Sequence, residues 1–71
     1  MEHKIILRIN SNLSYAGKVV AVQLENEEGI LLQPSDKSEV KIWCPKREIQ
    51  MIIMPDGREE TMEAMKNEFG F

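Results

Sequence analysis

The stretch Glu39-Val40-Lys41-Ile42-Trp43-Cys44-Pro45-Lys46-Arg47-Glu48-Ile49-Gln50-Met51-Ile52-Ile53-Met54-Pro55-Asp56-Gly57 carries most of the information about the fold. It reads as a strand, a proline-opened turn, a second strand and a Pro-Asp-Gly breaker. Pro45 has no amide hydrogen to give to a ladder, so the strand ending at Cys44 must stop or bulge there. A β-rich run resumes at Ile49, which leaves chain for one tight helical turn between the two. Alternation sets Val40, Ile42 and Cys44 on one face of the first strand and Lys41 and Trp43 on the other.

Upstream, Lys4 to Ile9 alternates, with Ile5, Leu7 and Ile9 opposite Lys4, Ile6 and Arg8. Ser11-Asn12-Leu13-Ser14 is turn chemistry. From Tyr15 to Glu25 a strand pattern returns, with Val20, Val22 and Leu24 inward and a bend or bulge at Gly17. Asn26-Glu27-Glu28-Gly29 reads as a hairpin turn with Gly29 at positive φ, and Ile30 to Gln33 as the returning strand. Pro34 to Ser38 is a polar loop. These five short strands within residues 4–54 predict a mainly β domain, a small five-stranded bent antiparallel barrel. Its expected core is Leu7, Val20, Val22, Leu24, Ile30, Leu32, Ile42, Ile49, Met51 and Ile53.

Downstream of Gly57 the period changes. Met62, Met65 and Phe69 form one stripe of a short C-terminal helix over about 58–69, with Glu59, Glu60, Glu63 and Glu68 on polar positions. Asp56 followed by Glu59 fits a capping pair, and Gly70 a stop. The competing reading makes Pro55-Asp56-Gly57 a hairpin turn into a sixth strand. Arg58-Glu59-Glu60-Thr61 shows no alternation, which favours the helix.

At 71 residues the chain has room for one domain, residues 1–71, and one core. A chain this small buries only about 60% of its unfolded surface. Cys44 is the single cysteine, so no internal disulfide can form, and an apolar strand setting makes it a small buried hydrophobe. His3 and Cys44 cannot complete a zinc site. Neither a metal nor another cofactor is expected. Met1 to Leu7 falls short of a signal-peptide core or membrane span before Arg8 interrupts it. With an unpaired cysteine, this points to a cytoplasmic setting and no membrane. The net charge of −3 is uneven: basic and acidic residues balance through Met54, and the excess acid sits at Asp56, Glu59, Glu60, Glu63 and Glu68. A net acidic chain lacks the overall field of a non-specific nucleic-acid binder, although a local basic patch can survive it.

The five short strands and the turn Trp43-Cys44-Pro45-Lys46-Arg47-Glu48-Ile49 resemble the small barrels of the Src-homology and Sm-like type. The resemblance covers residues 4 to 54 and is architectural. It implies one tight helical turn between strands four and five and permits an appended terminal helix. The N-terminal helix of the Sm-like family is absent. So are the acidic loop and paired aromatics with which Src-homology domains grip proline-rich peptides; Tyr15 and Trp43 alone do not make that set. No functional residue carries over, because fold does not fix function.

Catalysis finds no reactive constellation. His3 reads as a solvated terminal residue, Glu25, Glu27 and Glu28 as a solubilising hairpin tip, and the four glycines are too scattered for a phosphate loop. The chain therefore reads as a non-enzymatic binding module, a protein-interaction or inhibitory small barrel. Small acidic chains of this kind are frequent in phages and mobile elements. Trp43 is either covered by the helix or exposed as a contact anchor, where tryptophan contributes disproportionately to binding. Lys41, Lys46 and Arg47 lie beside it, and the alternative reading is an oligomeric Sm-like binder of nucleic acid or a nucleotide through these four residues. Both strand faces carry apolar residues, so Ile52 and Met54, with Met62, Met65 and Phe69 of the helix, are expected at an interface with a protein partner or in a homodimer paired along Ile49 to Met54.

Overall fold

The computed structural model describes residues 4–71, so the expectation for His3 lies outside the described residues. The elements run β1 (Lys4–Asn10), β2 (Leu13–Leu24), β3 (Glu27–Gln33), β4 (Ile42–Pro45), a 3₁₀ turn (Lys46–Glu48), β5 (Met51–Ile53), β6 (Glu59–Glu60) and α1 (Met62–Phe69). The strands form one antiparallel sheet in the order β4-β3-β2-β1-β5-β6. The sheet is not closed; β4 and β6 are its edges.

β2 makes the sheet bend. Its 12 residues would span about 36 Å if straight, yet the longest molecular extent is 28 Å. The first part of β2 pairs with β1 from Leu13 to Lys18, and the second with β3 from Lys18 to Leu24. Register shifts between Val19 and Ala21 and between Ala21 and Gln23 turn the strand where it changes partners.

Those shifts also decide which side chains are inside. Val19 is buried, whereas Val20 is 38% and Leu24 42% exposed, so of the expected inward set of β2 only Val22 packs on the core, and the inward face changes parity across the register shifts. The same correction applies after the 3₁₀ turn: Ile52 and Met54 are buried, and Met51 and Ile53 lie half-exposed. Ile5, Leu7, Ile30, Leu32 and Cys44 complete the sheet's share of the core. Val22, Ile42 and Ile49 pack against it from partly buried positions.

Both readings of the C-terminal segment are partly realised. Pro55-Asp56-Gly57 does turn the chain into a sixth strand, two residues long, pairing Ile52 with Glu60 and Ile53 with Glu59. The helix then starts later than expected. Its N-cap is Thr61, whose Oγ1 accepts from the Ala64 amide at 3.2 Å. Asp56 instead closes the preceding turn, its Oδ1 accepting from the Arg58 amide at 3.0 Å. The helix ends at Gly70, in the left-handed conformation at φ 78°. Met62 and Met65 enter the core and Phe69 packs on it.

That packing corrects the interface expectation. Ile52, Met54, Met62 and Met65 are interior residues of a single chain, and Ile52 is only 2% exposed. The strand Met51–Ile53 is flanked by β1 and β6, so it is not an edge open to a second copy. No helix among the described residues is long and apolar enough to cross a membrane.

Candidate functional site

Trp43 stands on β4 next to Leu31 of β3, its register partner, on the face opposite Ile30, Leu32 and Cys44. It is half-buried, and Gly29 lies against the indole. A Cβ built on Gly29 would come within 2.6 Å of Trp43 Cη2 and 2.5 Å of the Cys44 carbonyl oxygen. Gly29 therefore serves close packing within β3, and the hairpin turn lies earlier. Glu25 and Asn26 make that turn, both at positive φ (49° and 69°), as two-residue hairpins favour.

Trp43 is also among the residues lining a cleft of about 140 Å³, together with its β4 neighbours Ile42 and Cys44. Leu13 and Tyr15 enter from the start of β2, Ile9 from the end of β1, Pro45 from β4 and Glu48 from the 3₁₀ turn. The bend in the sheet is what brings these elements together. On the β1–β2 side, Asn10 Oδ1 accepts from the Asn12 amide at 2.8 Å and holds the tight reversal from which Leu13 and Tyr15 emerge. On the other side, Pro45 is extended (φ −63°, ψ 146°), and the turn closes through the Ile49 amide donating to the Lys46 carbonyl at 3.2 Å. Tyr15, Trp43 and Glu48, from three elements, thus line one cleft. Tyr15 and Glu48 were not paired with Trp43 by sequence reasoning, and only a bulge signal in β2 could have hinted that its N-terminal end curls toward β4.

The basic residues near Trp43 are placed differently from expectation. Lys46 lies 3.5 Å from Glu28, and Arg47 contacts Glu27 and lies 4.0 Å from Glu48. Glu28 also takes Lys66 of α1 at 3.8 Å. Of the three carboxylates that read as a solubilising hairpin tip, Glu27 and Glu28 are counter-ions of this cluster. Lys41 is exposed and makes no ion pair among the described residues. The structure brings Lys46 and Arg47, though not Lys41, together with acids.

Cys44 is 4% exposed. Burial, and then the nearby Glu48 carboxylate, push its thiol above the ordinary value, so it holds its proton and is a poor nucleophile. At the opposite end, the Asp56 carboxyl is held low, first by the Arg58 backbone amide and then by the Arg58 guanidinium. Arg58 Nε lies 2.5 Å from Asp56 Oδ2 and its Nη2 2.7 Å from Glu68, a staple between the β5–β6 turn and α1. Among the described residues no group of three or more His, Cys, Asp or Glu side chains converges on a metal position.

No family model, curated protein or solved structure matches the chain.

Proposed function

We propose that the protein is a non-enzymatic protein-interaction module of small-barrel type, and that the Tyr15–Trp43–Glu48 cleft is its contact site. The observation that carries this reading is the pairing of Lys46 with Glu28 and of Arg47 with Glu27. A phosphate-binding site needs its cations available, whereas an aromatic cleft rimmed by satisfied ion pairs has the anatomy of a protein contact: an apolar centre and a polar rim. Glu48 at one end of the cleft suits a basic side chain of the partner, with the rings of Tyr15 and Trp43 alongside it.

The small-barrel assignment is supported by the bent β2 and by the single 3₁₀ turn joining the fourth and fifth strands. The absence of catalysis is supported by the protonated, buried Cys44 and by the engagement of Glu27 and Glu28 in ion pairs. A reducing, cytoplasmic setting agrees with the unpaired thiol.

Affinity capture from host lysate tests the proposal, run with and without nuclease and compared with a Glu48→Lys variant. The expected result is a protein retained after nuclease treatment by the wild-type chain and lost by Glu48→Lys. Retention that disappears with nuclease would instead support nucleic-acid binding.

A further inference from the structure

We propose that Asp56–Gly57 is an isoaspartate-forming site, that the β5–β6 turn and Arg58 hold it unreactive in the folded chain, and that opening this corner lets it react. Glycine follows aspartate or asparagine only here in the sequence; Asp36, the other aspartate, precedes Lys37. The reaction needs no partner but water. The Gly57 amide nitrogen attacks Asp56 Cγ and a C–N bond forms, while the amide proton leaves with a protonated carboxyl oxygen as water. A second water then opens the cyclic imide. Breaking the bond to the Asp56 main-chain carbonyl leaves Gly57 attached through Cγ, an isoaspartyl linkage; breaking the other bond restores aspartate. Glycine favours the step because no side chain shields the attacking nitrogen.

The surroundings permit the reaction, and specific contacts restrain it. Asp56 and Gly57 are exposed to water, and even a Cβ at Gly57 would meet no neighbour within 4 Å, so crowding does not block ring closure. The restraint is hydrogen bonding. The Gly57 amide donates to the Met54 carbonyl at 2.9 Å, which engages the proton the nitrogen has to lose. Asp56 Oδ1 accepts from the Arg58 amide at 3.0 Å, and Oδ2 lies 2.5 Å from Arg58 Nε, so the carboxylate is tied to residue 58. Those contacts, the backbone amide first, also keep the carboxyl ionised, and an ionised oxygen is a poor leaving group. Arg58 is anchored in turn by Glu68 of α1, 2.7 Å from Nη2. One side chain thus restrains both the turn chemistry and the end of the helix. The product would undo this corner. An isoaspartyl linkage adds a methylene to the main chain inside the turn that the Gly57–Met54 bond closes, beside the Met54 amide donating to the Arg58 carbonyl at 2.8 Å. The added atom displaces those bonds and the Ile53–Glu59 register that leads into the Thr61 cap and α1. Reaction therefore marks a chain whose corner has opened and keeps it from closing again.

Incubation in H₂¹⁸O at neutral pH tests the proposal, because ring opening leaves heavy oxygen at residue 56. Mass spectrometry of the peptide containing that residue, digested in ordinary water, reads the label and the isoaspartate. In guanidinium chloride the wild-type chain should take up label at residue 56 well before Asp36, and the folded wild type should react severalfold more slowly. Folded Arg58→Ala should react severalfold faster than folded wild type. Glu68→Gln, which frees Arg58 from α1 without removing it, should fall between the two and serves alone if Arg58→Ala does not fold by circular dichroism. Gly29→Ala, which weakens the fold at the β3–β4 edge and leaves this turn intact, should stay slow. The isomerised wild-type fraction, purified and refolded, should melt below the unreacted chain. A folded wild type as fast as the denatured chain would overturn the proposal, as would Asp36 labelling as fast as Asp56 in denaturant. So would folded variants at position 58 or 68 no faster than wild type, Gly29→Ala as fast as Arg58→Ala, or an isomerised chain with an unchanged Tm.

Discussion

Replacing Gly29 by alanine tests the account of how β3, β4 and Trp43 fit together. The new methyl would sit 2.5 Å from the Cys44 carbonyl oxygen and 2.6 and 2.8 Å from two indole carbons. The indole could swing away, but the carbonyl belongs to the β4 backbone, which is paired to β3 at Ile30–Cys44 and Gly29–Pro45. Relieving the clash therefore means parting the edge strand from its neighbour. Overpacking of this kind costs about 1–3 kcal/mol, against a gain of up to about 1 kcal/mol from stiffening the unfolded chain. The net expectation is a loss of about 1–2 kcal/mol. For a domain of this size each kcal/mol moves the midpoint by about 4–8 °C, so Tm should fall by about 4–16 °C. Thermal unfolding by circular dichroism measures it. Trp43, the single tryptophan in the chain, should also show red-shifted emission at low temperature as the ring loses its glycine seat. An unchanged or higher Tm with unchanged emission would refute the packing of the indole over Gly29.

Further outcomes follow from the same structure. Ile52→Lys should abolish folding, read by loss of the dichroism signal: an unpaired charge in this interior costs several kcal/mol, which matches the margin of about 3–5 kcal/mol available to so small a core. Alkylation of Cys44 at mildly alkaline pH should be slow in the native protein and fast in denaturant. Because the folded thiol titrates above the unfolded one, the unfolded state releases its proton first, so stability should be full below the ordinary thiol range and fall as pH rises beyond about 8.5; a Cys44→Ala variant should lose that alkaline slope. NMR titration should find the Asp56 carboxyl below the ordinary range, and Arg58→Ala should leave part of the depression in place, since the backbone amide at position 58 remains to hold the carboxylate.

Sequence patterning located most of the elements but not always their faces. Between Val19 and Val22, and again between Met51 and Met54, every residue is apolar, so an alternation rule has no polar position from which to take its phase. In β2 the phase is set by two register shifts, which depend on where the strand exchanges β1 for β3 and leave no local mark. In β5 it is set by the pairing of Ile52 with Leu7, a contact between residues far apart in the chain. Leu7, Ile30 and Leu32 were legible as core because their apolar runs end at a polar residue, Arg8 after Leu7 and Gln33 after Leu32, from which alternation takes its phase. Cys44 was legible as a buried thiol from its apolar strand setting. The late start of the helix at Thr61 was hidden by Asp56, which has capping chemistry but uses it in a turn. At the candidate site, Trp43 was legible as the residue to examine. Its neighbours Tyr15 and Glu48 come from the bend in the sheet, and the neutralisation of Lys46 and Arg47 comes from the β2–β3 turn folding back on the 3₁₀ turn.

The single tryptophan lies in the candidate cleft, which makes its fluorescence the most direct test of the central proposal. Trp43 emission would be followed during titration with a short peptide carrying arginine between apolar residues and, separately, with a short oligothymidylate, each from about 50 to about 200 mM salt. The account predicts that the peptide changes the emission saturably and with weak salt dependence, that Glu48→Lys removes the response, and that the oligothymidylate leaves the emission unchanged. A saturable response to the oligothymidylate that falls steeply across the same salt range, with none to the peptide, would contradict it.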